Sequence, residues 1–255
     1  MKLFFRKYGS GQPLIILHGL FGQSDNWNTL AKQFSEHQLE VYTVDLRNHG
    51  HSPWSDDWNY PVMSKDILEF IYDHNLQNVI LLGHSLGGKV AMQFAFEHPD
   101  KLSKLIVVDI APRDYPPIQD AVIKGLLSVD LSVLKTRKKV VEQLSLHVKD
   151  AGTKLLLSKN LFWKEEDQLG WRFNLKILSE KYETIAKNIP TQKNNSPVQT
   201  LFIRGENSNY ISESDKPVIF KMFPKTEFAT VKNSGHWIHA DKPNEFFEET
   251  MRFIG

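Results

Sequence analysis

A chain of 255 residues, 41% hydrophobic and 24% charged, is long enough to bury one large core or a core carrying a sizeable insertion. Its 31 Lys+Arg nearly cancel its 30 Asp+Glu, so no global charge points to nucleic acid, and the lack of cysteine excludes disulfides and thiolate chemistry. No apolar run reaches the length of a membrane span, and the patch Leu3-Phe4-Phe5 is too short for a signal-peptide core, so a soluble cytoplasmic protein is expected.

From the N-terminus, strand and helix signals alternate. A short strand or hairpin leads into the apolar residues 14–17, which run directly into His18-Gly19-Leu20-Phe21-Gly22. In acyl transfer a developing oxyanion needs preorganised N–H donors, and glycines let the backbone approach the substrate closely. The loop is thus a candidate oxyanion loop, with the amide of Leu20 as donor and that of Phe21 as the fallback; the plain alternative is a tight turn with a hydrogen-bonded His18. Residues 24–37 read as a helix and residues 41–44 as a strand ending in Asp45-Leu46-Arg47-Asn48-His49-Gly50-His51-Ser52. Asp45 and Arg47 are read as a structural ion pair that pins a loop near the rim of a site. His49 and His51 lack a third ligand at metal-binding spacing, so no metal is expected. In residues 61–75 the spacing of Met63, Ile67, Phe70, Ile71 and His74 predicts a helix with one core-facing side.

Residues 79–82 are a continuous apolar run, and Val90, Ala91, Phe94 and Ala95 mark a helix after residue 85. Between them lies Gly83-His84-Ser85-Leu86-Gly87, a G-x-S-x-G pattern at a strand end that opens a helix. Such an elbow holds one serine hydroxyl clear of the backbone at the positive end of a helix, which makes Ser85 the candidate nucleophile and the amide of Leu86 the second oxyanion donor. Residues 105–108 form the next strand, closing with Asp109. Three such alternations imply a parallel sheet whose sites gather at the carboxyl ends of its strands.

The rhythm then breaks. Residues 112–196 show helical segments (121–127, 133–147 and 175–188) and no strand of period 2, which reads as a helical insertion, long enough to be a lid, within an α/β core of residues 1–111 and 197–255. Strand signals resume at 198–203 and 227–231, and a helix at 243–254 with Pro243 in its first turn closes the chain. His236, on a glycine-containing loop after a late strand, is the candidate base; His239 is set aside because a step of three points it elsewhere.

Together, the elbow, the His18 to Gly22 loop, the Asp45 to Ser52 segment and Gly235-His236-Trp237-Ile238-His239-Ala240 resemble the α/β-hydrolase superfamily, and more narrowly the YbfF-like esterases, small bacterial relatives of abhydrolase-domain proteins. The resemblance extends over nearly the whole chain, including Trp171-Arg172-Phe173-Asn174, and implies a carboxylesterase or acyl-CoA thioesterase without metal or organic cofactor. The sequence departs from the superfamily at the triad acid. Where an Asp is usual, three residues past Gly205, stands Ser208. A triad needs a carboxylate on the far ring nitrogen of its histidine. Asp109, at the end of the strand beside the nucleophile strand, is the first candidate, with Glu206 and Asp215 as alternatives.

Phe162, Trp163, Trp171 and Phe173 from the insertion, with Phe21 and Trp237 from the core, are candidates to wall an apolar acyl pocket; the alternative is that they pack the insertion onto the sheet. Residues 112–195 carry fifteen Lys+Arg against ten Asp+Glu, a net of +5 that leaves the remainder at −4. A basic lid suits an anionic leaving group such as coenzyme A, although Lys135-Thr136-Arg137-Lys138-Lys139 also reads as a solvated helix face. Ester or thioester hydrolysis is the leading function. Carbon–carbon bond hydrolysis or perhydrolysis on the same fold, and a ligand-binding module without catalysis, are the competing ones.

Overall fold

The computed structural model describes residues 1–116, 120–190 and 195–255. Its framework is a seven-stranded sheet in the order β1-β3-β2-β4-β5-β8-β9, built from β1 (Phe5–Tyr8), β2 (Gln12–Leu17), β3 (Leu39–Val44), β4 (Val79–His84), β5 (Leu102–Val108), β8 (Gln199–Gly205) and β9 (Thr226–Val231). All neighbours run parallel except β1, which lies antiparallel to β3. The first strand is therefore a sheet edge and not half of a hairpin with β2.

The strands read as unbroken apolar runs because both faces of the sheet are covered. Ile15, Leu17 and Leu81 point to a core shared with α2 (Tyr60–Asp73), α3 (Leu86–Glu97) and the insertion. Leu14, Ile16, Ile80 and Leu82 point to the other core, under α1 (Asn28–Ser35) and α11 (Pro243–Ile254). This period of two fixes the register, since a slip of one residue would exchange the faces. In that register Leu17 pairs with Gly83, His84 with Val108, Val108 with Ile203, and Gly205 with Val231. The carboxyl ends of five strands thus finish level, and the loops that follow them share one edge.

Between β5 and β8 the chain forms α4 (Asp120–Leu127), α5 (Arg137–Leu144), α6 (Ala151–Lys159), α7 (Leu175–Glu180) and α8 (Tyr182–Ala186). It also forms an antiparallel hairpin, β6 (Leu161–Glu165) with β7 (Gln168–Trp171), which corrects the expectation of a purely helical insertion. Asp167 turns that hairpin at φ +59°. The helix expected over 133–147 is confined to α5, and that over 175–188 is split at Lys181 into α7 and α8. Helix α9 (Lys216–Met222) connects β8 to β9, and the small helix α10 (Ile238–Asp241) precedes α11.

Candidate active site

Ser85 stands between β4 and α3 with φ +52° and ψ −113°, a conformation few non-glycine residues adopt. Its N–H donates to Val108 and its carbonyl accepts from Lys89, so the turn is held from both sides. The flanking glycines follow from crowding: a Cβ on Gly83 would lie 2.2 Å from the Gly87 carbonyl oxygen, and one on Gly87 would lie 2.5 Å from that of Leu17. Only glycine lets the helix begin so close to the strands.

Asp109 leaves the end of β5 at φ +49° and is fully buried. Its Oδ2 lies 2.7 Å from Nδ1 of His236, and its Oδ1 accepts the Gly205 amide at 3.1 Å. The hydroxyl of Ser208 also donates to Oδ2. The residue standing in the usual acid position is thus a hydrogen-bond donor to a carboxylate supplied by the neighbouring strand. Neither alternative acid reaches the histidine: Glu206 accepts the Asn233 amide at 2.9 Å, and Asp215 pairs with Arg113 at 3.0 Å and caps Ser212.

His236 is further oriented by the ring of Tyr210, stacked on it at 3.8 Å, and by its own carbonyl, which accepts from Nε2 of His84 at 2.9 Å. Tyr115 hydrogen-bonds the Tyr210 carbonyl and so holds that ring in place. His239 is buried elsewhere, stacked on Trp27 at 4.1 Å.

The loop after β2 is fixed by His18. Its Nδ1 donates to the Gly19 carbonyl at 2.8 Å and its Nε2 accepts the Leu46 amide at 3.0 Å, an arrangement that requires the neutral ring. Burial agrees, pushing the imidazole down to about 4. Among the described residues no protein acceptor takes the amides of Leu20, Phe21 or Leu86; that of Leu86 is one of the N–H groups a helix start leaves unbonded. The Phe21 carbonyl, in contrast, accepts from the side chain of Asn160 at 2.7 Å, so the insertion grips this loop directly.

In the Asp45 to Ser52 segment the expected Asp45–Arg47 pair is not formed. Arg47 makes a two-pronged, buried bridge to Asp66 on α2 at 2.6 and 2.7 Å, while Asp45 accepts the amides of Ser24 and His51. Each pins a different stretch of loop. His49 is buried beside His18 and bonded to the Arg47 carbonyl, and among the described residues no three His, Cys, Asp or Glu side chains converge as a metal site.

Among the described residues Ser85 lines two cavities. The wider, about 350 Å³, is lined by Leu20, Phe21, Leu156, Tyr210, His236 and Trp237 among others. The narrower, about 50 Å³, is lined by Ser85, Leu86, Lys89, Ile110 and Ile185 together with Tyr60, Tyr115 and Tyr182. Of the aromatic residues expected to wall a pocket, Phe21 and Trp237 do so. Phe162, Trp163, Trp171 and Phe173 line neither cavity. Phe173 is buried between Phe21 and Trp171, Phe162 lies under the Arg172 guanidinium, and Trp163 is 53% exposed. Four tyrosines form walls instead, and sequence reasoning missed them because isolated tyrosines carry no spacing signal.

The model of the alpha/beta hydrolase fold family matches residues 12–145. A mouse (Mus musculus) protein named sn-1-specific diacylglycerol lipase ABHD11 is 38% identical over 94% of this chain and 80% of its own length. Esterase YbfF of Escherichia coli is 31% identical over 96% of this chain and 94% of its own. A solved structure described as a marine microorganism esterase superposes with a TM-score of 0.96 at 42% identity, covering 99% of both chains. With half the chain matched by the family model and these relatives aligned along nearly all of it, the protein belongs to the α/β-hydrolase family, alongside YbfF-like esterases and abhydrolase-domain proteins.

Proposed function

We propose that the protein is a serine hydrolase that cleaves carboxylic esters, and acyl-CoA thioesters as a second class, through Ser85, His236 and Asp109. The observation that carries this reading is the buried Asp109 carboxylate 2.7 Å from Nδ1 of His236, with His236 and Ser85 lining the same cavity. Bonding at Nδ1 leaves Nε2 as the base. It takes the hydroxyl proton of Ser85 as the oxygen attacks the acyl carbon, and returns it to the leaving alcohol or thiol. The resulting acyl-serine is attacked by a water that His236 deprotonates, which frees the acid and restores the serine. The amides of Leu20 and Leu86 hold the negative oxygen in both steps, each contributing on the order of 10²- to 10³-fold in rate.

Residues 112–196 act in this reading as a lid. Support comes from the bond of Asn160 to Phe21 and from Leu156 and Tyr182, which bring the insertion to the cavities at Ser85. The lid's net charge of +5 supports thioesters of coenzyme A, whose leaving group is anionic. The lack of cysteine supports a cytoplasmic setting.

The test is covalent labelling with a fluorophosphonate, together with hydrolysis of p-nitrophenyl acetate. The label is expected on Ser85, and Ser85→Ala is expected to abolish both labelling and turnover while circular dichroism stays unchanged, since losing a triad nucleophile costs up to about 10⁶-fold in kcat. A folded Ser85→Ala protein that keeps more than a few per cent of activity would remove the serine from the mechanism.

A further inference from the structure

The narrow cavity carries a cation in its wall, Lys89. Lys89 lies in the first turn of α3, and its backbone N–H bonds back to the carbonyl of Ser85, so the two residues are close neighbours at the start of the helix. Both line the cavity. Lys89 is 2% exposed, and its ammonium lies 4.8 Å from the ring centre of Tyr115 and 5.6 Å from that of Tyr60, two rings that also wall the space. It donates to the carbonyls of Arg113 at 2.9 Å and Lys187 at 2.6 Å, at the two stems of the insertion. An ammonium has three donors, and these carbonyls occupy two.

Among the described residues no carboxylate lies within ion-pairing distance of this nitrogen. Asp114 attracts it only from a distance and is itself exposed, bonded to the Asn188 amide and to Lys187. Arg113 repels it and is neutralised by Asp215. The hydroxyls of Tyr60 and Tyr115 are turned to the carbonyls of Ile185 and Tyr210. A buried cation without a counter-ion is costly, and burial pulls Lys89 down to about 7. A ligand carboxylate in this cavity would supply the missing partner and use the third donor.

We propose that Lys89 is the specificity group of the acyl subsite, and that the enzyme prefers short acyl groups ending in a carboxylate, such as the monoesters of succinic acid. The proposal rests on Ser85 being the nucleophile. Ser85 and Lys89 share one cavity of only about 50 Å³, which suits a short spacer, such as two carbons, between the reacting carbonyl and the carboxylate. The small volume excludes long acyl chains from this branch, leaving the wider cavity to the leaving group.

The experiment compares kcat/KM for monoethyl succinate and ethyl pentanoate, a neutral ester of matched length, between pH 6 and 9. In the wild type the succinate ester is expected to win by roughly ten- to hundredfold at pH 6, the size of one charge-assisted hydrogen bond. That advantage should fall as pH rises through about 7, where Lys89 loses its proton. Any pH effect on the chemical step common to both esters cancels in the ratio. Lys89→Met, which keeps the volume, should lose the advantage, whereas Lys89→Arg should retain part of it. A wild-type ratio that is near one or flat with pH, with ethyl pentanoate hydrolysed, overturns the subsite alone and does so without any variant needing to fold. A folded Lys89→Met enzyme that keeps the preference also overturns it. Turnover of neither ester overturns the hydrolase reading together with it.

Discussion

Asp109 carries a backbone conformation that costs about 1–3 kcal/mol for a non-glycine residue, at a place where the surroundings fix three bonds to its carboxylate. A carboxylate so held keeps the His236 proton on Nδ1. Asp109→Asn preserves the shape and still accepts the Gly205 amide, yet presents an NH₂ or a weaker acceptor to the ring and favours the wrong tautomer. In the serine-protease template that exchange costs about 10⁴-fold in kcat. A loss of several orders of magnitude on an activated ester is therefore expected, while Glu206→Gln should remain within roughly tenfold of wild type, since its carboxylate is spent on a loop amide and surface changes perturb little. Steady-state kcat for both variants, with circular dichroism as the folding control, decides; an active Asp109→Asn beside an inactive Glu206→Gln would reverse the roles. Ser85 and His236 were legible because their glycine-rich contexts have a mechanical reason. The work of Ser208 was not, because a serine in place of an acid says only that the acid is elsewhere, and the donation to Asp109 exists only once β5 and β8 are paired.

At the scale of elements, the hairpin β6–β7 escaped sequence reasoning for physical reasons. Its strands are five and four residues long, a register shift interrupts them after Trp163, and Lys164, Glu165 and Glu166 leave most of one strand in solvent, so no period of two is visible. The hairpin's aromatic content looked like a pocket wall, but its structural service is to lead into Phe173, which is wedged between Trp171 and Phe21. Phe21 follows Leu20, whose amide is the proposed oxyanion donor of this loop, so in the proposed mechanism the packing of Phe173 would act on catalysis through position and not through contact with the acyl chain. Phe173→Ala is expected to cost about 3–5 kcal/mol of stability, as large truncations of buried aromatics do. It should lower kcat/KM for short and long p-nitrophenyl esters by a similar factor, whereas a changed chain-length preference would mean that the ring does meet the substrate. Urea unfolding and the ratio of the two rate constants measure the two effects. Trp163→Ala, at the half-exposed position, should stay within about 0.5 kcal/mol of wild type in the same unfolding assay.

For the whole molecule, the alternation of apolar runs and helices was enough to foresee a parallel sheet with its site at the strand ends, because burial on both faces leaves a strong pattern. What alternation does not reveal is how the loops at that edge are tied together, and here the ties are buried imidazoles. His18 joins the loop after β2 to the loop after β3, His49 packs beside it, and His239 lies stacked on Trp27 with the elbow's His84 edge-on to it. Burial lowers His18 to about 4, and it lowers His49 and His239 to about 3, with repulsion from His18 and from His236 adding to the last two respectively. These rings are neutral in the folded protein, whereas in the unfolded chain each protonates near 6.5. Below that pH the unfolded state binds protons the folded state refuses, so stability is full above about 6.5 and declines as pH falls toward the folded values. At pH 5 each histidine has withdrawn about 2 kcal/mol, and three together approach the total stability of about 5–15 kcal/mol typical of a domain. The urea midpoint should therefore fall steeply between pH 6.5 and 5. His239→Phe, which keeps a ring on Trp27 but cannot take a proton, should flatten that fall by about 1.4 kcal/mol per pH unit. A midpoint that stays level across the window, or a variant whose pH slope matches the wild type, would show that these rings do not control the acid stability of the edge on which the site is built.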